Sequence, residues 1–219
     1  MMPTGPRPAT NAESVRRDNV TRDFRHGTRG ESAARCIGPI TKGCDVFGLT
    51  KGDFSMIDIL RHIAREIGPC RLDVGSWTAS PADIIELKRM ITGGSVTELR
   101  LILGDGFPIF ERKGYEVILA EVGRARVRFA RFHAKYALLE NDNFSIALRT
   151  SMNLNMNRRI ESYEISEGSG IGNYLRGIAD HHFSDDVTAY ENFKSFHAGV
   201  TPPKAVIAEQ HQQRISGWD

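Results

Sequence analysis

Cysteine is scarce in this sequence: Cys36, Cys44 and Cys70 are the only three in 219 residues. An odd number without CxxC spacing, in a chain long enough to enclose its own core, argues against both a disulfide framework and a zinc site. Free buried thiols are expected instead. Long apolar runs are also missing. No stretch approaches the roughly 20 apolar residues of a membrane helix, and the N-terminus carries Arg, Asn and Pro where a secretory signal has an apolar stretch. A cytoplasmic location without membrane contact is the expectation. Charge of one sign is lacking too, because 29 basic residues face 27 acidic ones for a net charge of +2. That is too little to argue for an anionic partner by itself. Among the cations lysine is the rare type, with 7 Lys against 22 Arg. A guanidinium presents a planar fork of donors that fits phosphate oxygens, whereas an ammonium is a point charge. A coding bias toward Arg accounts for the ratio equally well.

At 40% hydrophobic, a chain of this length supports one domain with tails. Residues 1–35 hold seven Arg and four acids with almost no apolar periodicity, the composition of a disordered or partner-dependent arm. The domain is expected over residues 36–190 and a C-terminal tail over 191–219. Within the domain CDVFGLT reads as a strand, after which Asp53 is placed to cap a helix carrying Ile57, Leu60, Ile63, Ala64 and Ile67 on one stripe. RLDVGSWT is a second strand. Ser80 followed by Pro81 opens the next helix, and Gly93-Gly94 stops it. TELRLILG is a third strand, and GYEVILAEVG the body of a third helix. Three β-α units in series imply an α/β fold with a mixed, largely parallel sheet. ARVRFA, FHAKYALLE, FSIALRT and IESYEIS then follow as strands with short connections, which implies antiparallel additions to the same sheet. A helix over about 171–182 closes the domain.

The stretch from His133 to Ser166 carries the chemistry. His133 and Lys135 are two apart on a predicted strand, so their side chains leave one face. Ser151 and Asn153 repeat that spacing on the loop after the next strand, and Glu161 follows. With seven His and seven Lys, an HxK triplet is expected about 0.2 times by chance, so the triplet alone says little. The ordered set says more.

HAKYALLE, TSMN and RRIESYE in this order resemble the phospholipase D superfamily, marked by H-x-K-x4-D, then G-S-x-N and a later Glu. His133, Lys135, Ser151, Asn153 and Glu161 match position by position. Glu140 stands at the Asp position, which the resemblance makes a structural one, and Thr150 stands where the family has Gly. The resemblance covers residues 44 to about 185 and implies an α/β/α sandwich. It further implies a metal-independent phosphodiesterase without cofactor, in which His133 attacks phosphorus while Lys135, Ser151 and Asn153 donate to its oxygens. Glu161 would orient an imidazole. The family flanks the phosphorus with two HxK motifs and this chain has one, so the resemblance implies a homodimer sharing the site. A nuclease for DNA or RNA is the leading expectation. A catalytically impaired nucleic-acid-binding protein of the same fold, or a phospholipid phosphodiesterase, fits the same residues.

Candidate substrate contacts lie outside the motif. Ser76 and Trp77 end a predicted strand, where ligands bind in open α/β sheets, the alternative being a core Trp. Arg124, Arg126 and Arg128 alternate along ARVRFA and are placed to follow a phosphate backbone, unless they simply solvate an edge strand. Arg149, just ahead of TSMN, joins them.

Overall fold

The computed structural model describes residues 22–26, 33–156 and 158–184. Eight strands form one sheet in the order β1-β2-β8-β7-β6-β3-β4-β5. They are β1 (Asp23–His26), β2 (Asp45–Thr50), β3 (Cys70–Ser76), β4 (Val96–Gly104), β5 (Val127–Ala130), β6 (Tyr136–Glu140), β7 (Ser145–Thr150) and β8 (Glu161–Glu167). The helices are α1 (Ala33–Ile37), α2 (Met56–Ile67), α3 (Pro81–Thr92), α4 (Phe107–Phe110), α5 (Arg112–Glu121) and α6 (Ser169–Phe183).

The sheet is mixed, but the expectation that it is largely parallel is corrected. Only β1/β2, β3/β4 and β4/β5 pair in parallel, while β2/β8, β8/β7, β7/β6 and β6/β3 pair antiparallel. The cause is an insertion. The antiparallel run β6-β7-β8 wedges between β2 and β3, so the first β-α unit is separated from the other two. β5 in turn is parallel to β4, not the antiparallel addition expected, because α5 carries the chain back across the sheet before it begins.

Residue alternation divides the interior into two layers. Ala137 and Leu139 of β6 join the larger core with Leu60, Ile63, Leu87 and Ile118 from α2, α3 and α5. Tyr136 and Leu138 point the other way, onto Ile171 and Leu175 of α6. Helices therefore cover both faces, as a period of two along a doubly buried strand requires.

Several local signals act as expected and several do not. Ser80 Oγ accepts from Asp83 N at 3.2 Å with Pro81 at the first helical position. Asp53 does not cap α2. Thr50 Oγ1 accepts from Gly52 N and Asp53 N in a turn, and the helix starts later, at Ser55, whose N and Oγ both donate to Asp58 Oδ2 at 2.9 Å. Of the expected disordered arm, Asp23–His26 form β1 on the edge of the sheet and Ala33 opens α1. The rest of that arm, and the expected tail over 191–219, lie outside the described residues.

Two strand assignments also need correction. Arg124–Arg126 form a 3-10 turn after Gly123, whose φ of 89° turns the chain out of α5. Strand β5 begins only at Val127, so Arg124, Arg126 and Arg128 do not alternate on a strand face. β6 begins at Tyr136, whose partner Gly75 is the last β3 residue in that ladder. His133 and Lys135 therefore lie in the segment leading into the strand, beyond the end of its ladder with β3.

Candidate active site

The end of the sheet where β3, β4 and β7 finish, and where β6 and β8 begin, gathers four chain segments. Residues 132–135 approach β6, residues 77–80 leave β3, residues 151–160 connect β7 to β8, and α4 follows β4. The first is tied to the end of β7, where the third begins, by Thr150 N, which donates to Lys135 O at 3.1 Å. The second is tied to the third where Ala79 bridges Leu154 and Ser80 N donates to Leu154 O at 2.8 Å. The site is thus assembled by backbone bonds that do not depend on its side chains.

His133 and Lys135 are in contact, with Lys135 Nζ 3.0 Å from Nδ1 and 3.4 Å from Nε2 of the imidazole. With both ring nitrogens within 3.4 Å, Nζ rests against the ring and not in line with one lone pair, so the donor and acceptor roles of the two nitrogens follow the tautomer. Burial pushes the Lys135 ammonium below its usual range, and the nearby Glu161 carboxylate opposes that shift. Glu161 Oε2 in turn accepts from Ser151 Oγ, and Ser151 Oγ accepts from Ser162 N at 2.9 Å. The Trp77 ring also neighbours His133, its centroid 5.5 Å from that of the imidazole. Trp77 N donates to Asn153 Oδ1 at 3.3 Å. With its oxygen taken by a backbone N–H, Asn153 keeps the two hydrogens of its Nδ2 for another acceptor. His133, Lys135, Ser151, Asn153, Glu161 and Trp77 are accordingly brought to one opening.

Other sequence candidates are placed elsewhere. Ser76 is fully buried, and its hydroxyl donates to Thr78 O at 2.7 Å while accepting from Leu154 N at 2.9 Å. It braces the loop under Trp77, and its hydroxyl also lies 3.4 Å from Asn153 Oδ1, so it supports the site from beneath. Arg149 pairs with Tyr136 across the sheet, which puts it on the α6 face. Its guanidinium is held by Glu164 at 2.9 Å and Ser166 Oγ at 2.8 Å. Arg126 donates to Val122 O at 3.1 Å, and Arg128 to Val127 O at 3.0 Å with its guanidinium over Phe183. These two close the end of α5 and the sheet edge.

Glu140 lies at the opposite end of β6. Its carboxylate accepts from Arg176 Nε at 2.9 Å, Ser145 Oγ at 2.8 Å and Arg71 at 3.4 Å, with a second short contact from Arg176. A cavity of about 690 Å³ opens beside it, lined by Lys42, Arg71, Ser145 and Arg176 among others. The carboxylate offsets the surrounding cations, and none of the motif residues except Glu140 reaches this end. The other motif residues gather at the opposite end of the sheet, at residues 133–135 and 151–161.

Thr150, at the position where the resemblance has Gly, fits without displacing the motif. Its Oγ1 donates to Ser162 O at 2.6 Å and accepts from Met152 N at 3.0 Å, stitching the turn that presents Ser151 and Asn153. The sequence reading overlooked the exposed side chains of Ile109 and Phe110 on α4. The signal was present in Gly104 and Gly106, which flank the end of β4. Neither needs a left-handed backbone, yet a Cβ would come within 2.7 Å of the Trp77 ring at Gly104 and 2.8 Å of the Phe110 ring at Gly106.

Among the described residues, no three His, Cys, Asp or Glu side chains are grouped so as to hold a metal ion. None of the described helices is long and apolar enough to cross a membrane. No family model matches the chain. A search of curated proteins finds no match either.

Proposed function

We propose that this chain is a metal-independent phosphodiesterase, a nuclease acting on DNA or RNA through a phosphohistidine on His133, with the site completed by a second copy. The observation that supports it is the convergence of His133, Lys135, Ser151, Asn153 and Glu161 on one opening although they come from three segments spread over 29 residues. No single secondary-structure element would place them together.

In the first step an imidazole nitrogen of His133 attacks phosphorus, and the bond from phosphorus to the leaving oxygen breaks on the opposite side. Lys135 gives up its contact with the ring and donates to a non-bridging oxygen, and Asn153 Nδ2 donates to another. Both act where negative charge concentrates in the transition state. Ser151 holds Glu161, whose charge favours the ammonium of Lys135. The departing alkoxide takes a proton from His133 of the second protomer, and that imidazole then accepts a proton from the water that hydrolyses the phosphoramidate. A two-fold axis beside the opening supplies this second histidine.

The test combines mass and trapping. Light scattering should give twice the chain mass, and labelled oligonucleotide quenched in alkali should leave phosphate on His133. Turnover should continue in EDTA and fall by more than about a thousandfold in His133→Ala. Hydrolysis that needs added magnesium, or that survives in His133→Ala, overturns the mechanism.

A further inference from the structure

Six large apolar side chains are exposed among the described residues, and five of them lie at the active-site end, Ile109 and Phe110 on α4 and Trp77, Met156 and Ile160 on loops. Two are aromatic, and both are anchored. The backbone of Trp77 is clamped by Gly104 N donating to its O at 3.2 Å and by its own N donating to Asn153. Its ring rests against Gly104, while the ring of Phe110 rests against Gly106. Gly106 has an ordinary φ of −75°, so glycine is needed there for closeness and not for conformation. Trp77 is nevertheless 44% exposed and Phe110 78%. A ring held by its backbone, seated on glycine and left open to water loses little freedom when another flat group covers it.

We infer that Trp77 and Phe110 form a stacking platform for unpaired bases beside the scissile phosphate, which makes the substrate a single-stranded nucleic acid. This rests on the phosphodiesterase reading of His133. A phosphate seated against His133 brings the base of the same nucleotide to the neighbouring Trp77 ring, 5.5 Å from the imidazole. Bases inside a duplex are already stacked on both sides and cannot meet a protein ring without being extruded. Every base has a π-face, so the platform gives little sequence preference. The Arg excess and the cations Arg158 and Arg159 on the β7–β8 loop suit a backbone that must be held along its length.

The experiment uses the full chain with His133→Ala, to stop turnover, and Trp218→Phe, to leave Trp77 as the single tryptophan. The probes are a ten-nucleotide single strand, its duplex, and the same strand with abasic linkers, in both DNA and RNA. The single strand should quench Trp77 fluorescence, and the duplex and abasic strand should not. By anisotropy, Trp77→Ala should weaken binding of the normal strand about 5- to 150-fold and leave the abasic strand unchanged. Phe110→Ala should follow the same pattern with a smaller loss, and Trp77→Phe should keep most of the affinity. Equal losses on normal and abasic strands overturn the platform. So does a dimer that falls to monomers in Trp77→Ala, because the rings would then belong to contact with a second copy. Tight duplex binding indifferent to Trp77 removes the platform and leaves the phosphodiesterase reading standing. Failure of the unsubstituted chain to bind or cleave any strand or duplex removes both.

Discussion

Replacing Glu140 by Gln should lower stability and spare the proposed catalysis, although the residue belongs to the motif on which that proposal rests. The carboxylate is 11% exposed and sits between Arg176 and Arg71, whose side chains are 35% and 28% exposed. Gln keeps the volume and removes the charge. A buried pair broken on one side costs about 3–5 kcal/mol, an exposed one about 0–1 kcal/mol. Water reaches both guanidiniums here. Arg176 retains Asn173 Oδ1 at 2.9 Å, and Arg71 retains Asp73 at 3.5 Å. The loss should therefore fall between the two limits, at about 2 kcal/mol. For a domain of this size that is about 4–8 °C in melting temperature, measurable by calorimetry. Glu140 stands five positions beyond Lys135 along the strand, about 17 Å at the extended rise. Turnover at 25 °C should accordingly stay within about twofold of the original. A Glu140→Gln protein with unchanged melting temperature, or one that melts normally and has lost turnover, refutes this assignment of the residue to support.

Two further predictions follow from the site and the sheet edge. Because burial lowers the Lys135 pKa and Glu161 holds it up, activity should fall on the alkaline side earlier than an ordinary lysine would cause, and Glu161→Gln should move that limb to still lower pH. The sign is fixed by the cation: loss of the carboxylate disfavours the ammonium, so the proton leaves sooner. A limb that moves up in pH, or does not move, separates Glu161 from Lys135. Replacing Arg124, Arg126 and Arg128 together by Ser should weaken nucleic-acid binding and flatten its salt dependence if they meet phosphates, since fewer counterions are released. An unchanged slope with a lowered melting temperature would confine them to the end of α5 and the packing on Phe183.

The β-α units of the chain were legible because their signals are local. Ser80-Pro81 caps α3, Gly93 ends it, and the buried stripe from Ile57 to Ile67 on α2 is a period that sequence displays directly. The neighbours of each strand were not legible. Nothing in CDVFGLT or IESYEIS says that β2 pairs with β8 instead of with β3, because an alternation of buried and half-buried residues fixes the face a strand buries and not the strand beside it. The motif residues were legible as a set, but their support was not. Asn153 depends on the backbone of Trp77, 76 residues earlier, and Lys135 on the N–H of Thr150. The exposure of Trp77 was equally hidden, since an aromatic at the end of an apolar strand reads as core until Gly104 beneath its ring is placed.

The sheet order also sets a timetable for the chain during synthesis. Asp45 of β2 pairs with Ser166 of β8, so one side of β2 lacks its partner until more than a hundred further residues have been made. Meanwhile β3, α3, β4, α5 and β5 can assemble among themselves through near neighbours. Pairings this far apart in sequence form slowly, and an exposed strand row invites other chains in the interval. β2 alternates buried and half-buried residues and has only the four-residue β1 on its other side. Shortened chains ending before β8 should then collect as aggregates, whereas a fragment carrying β6 to α6, supplied separately, holds the one edge able to restore them.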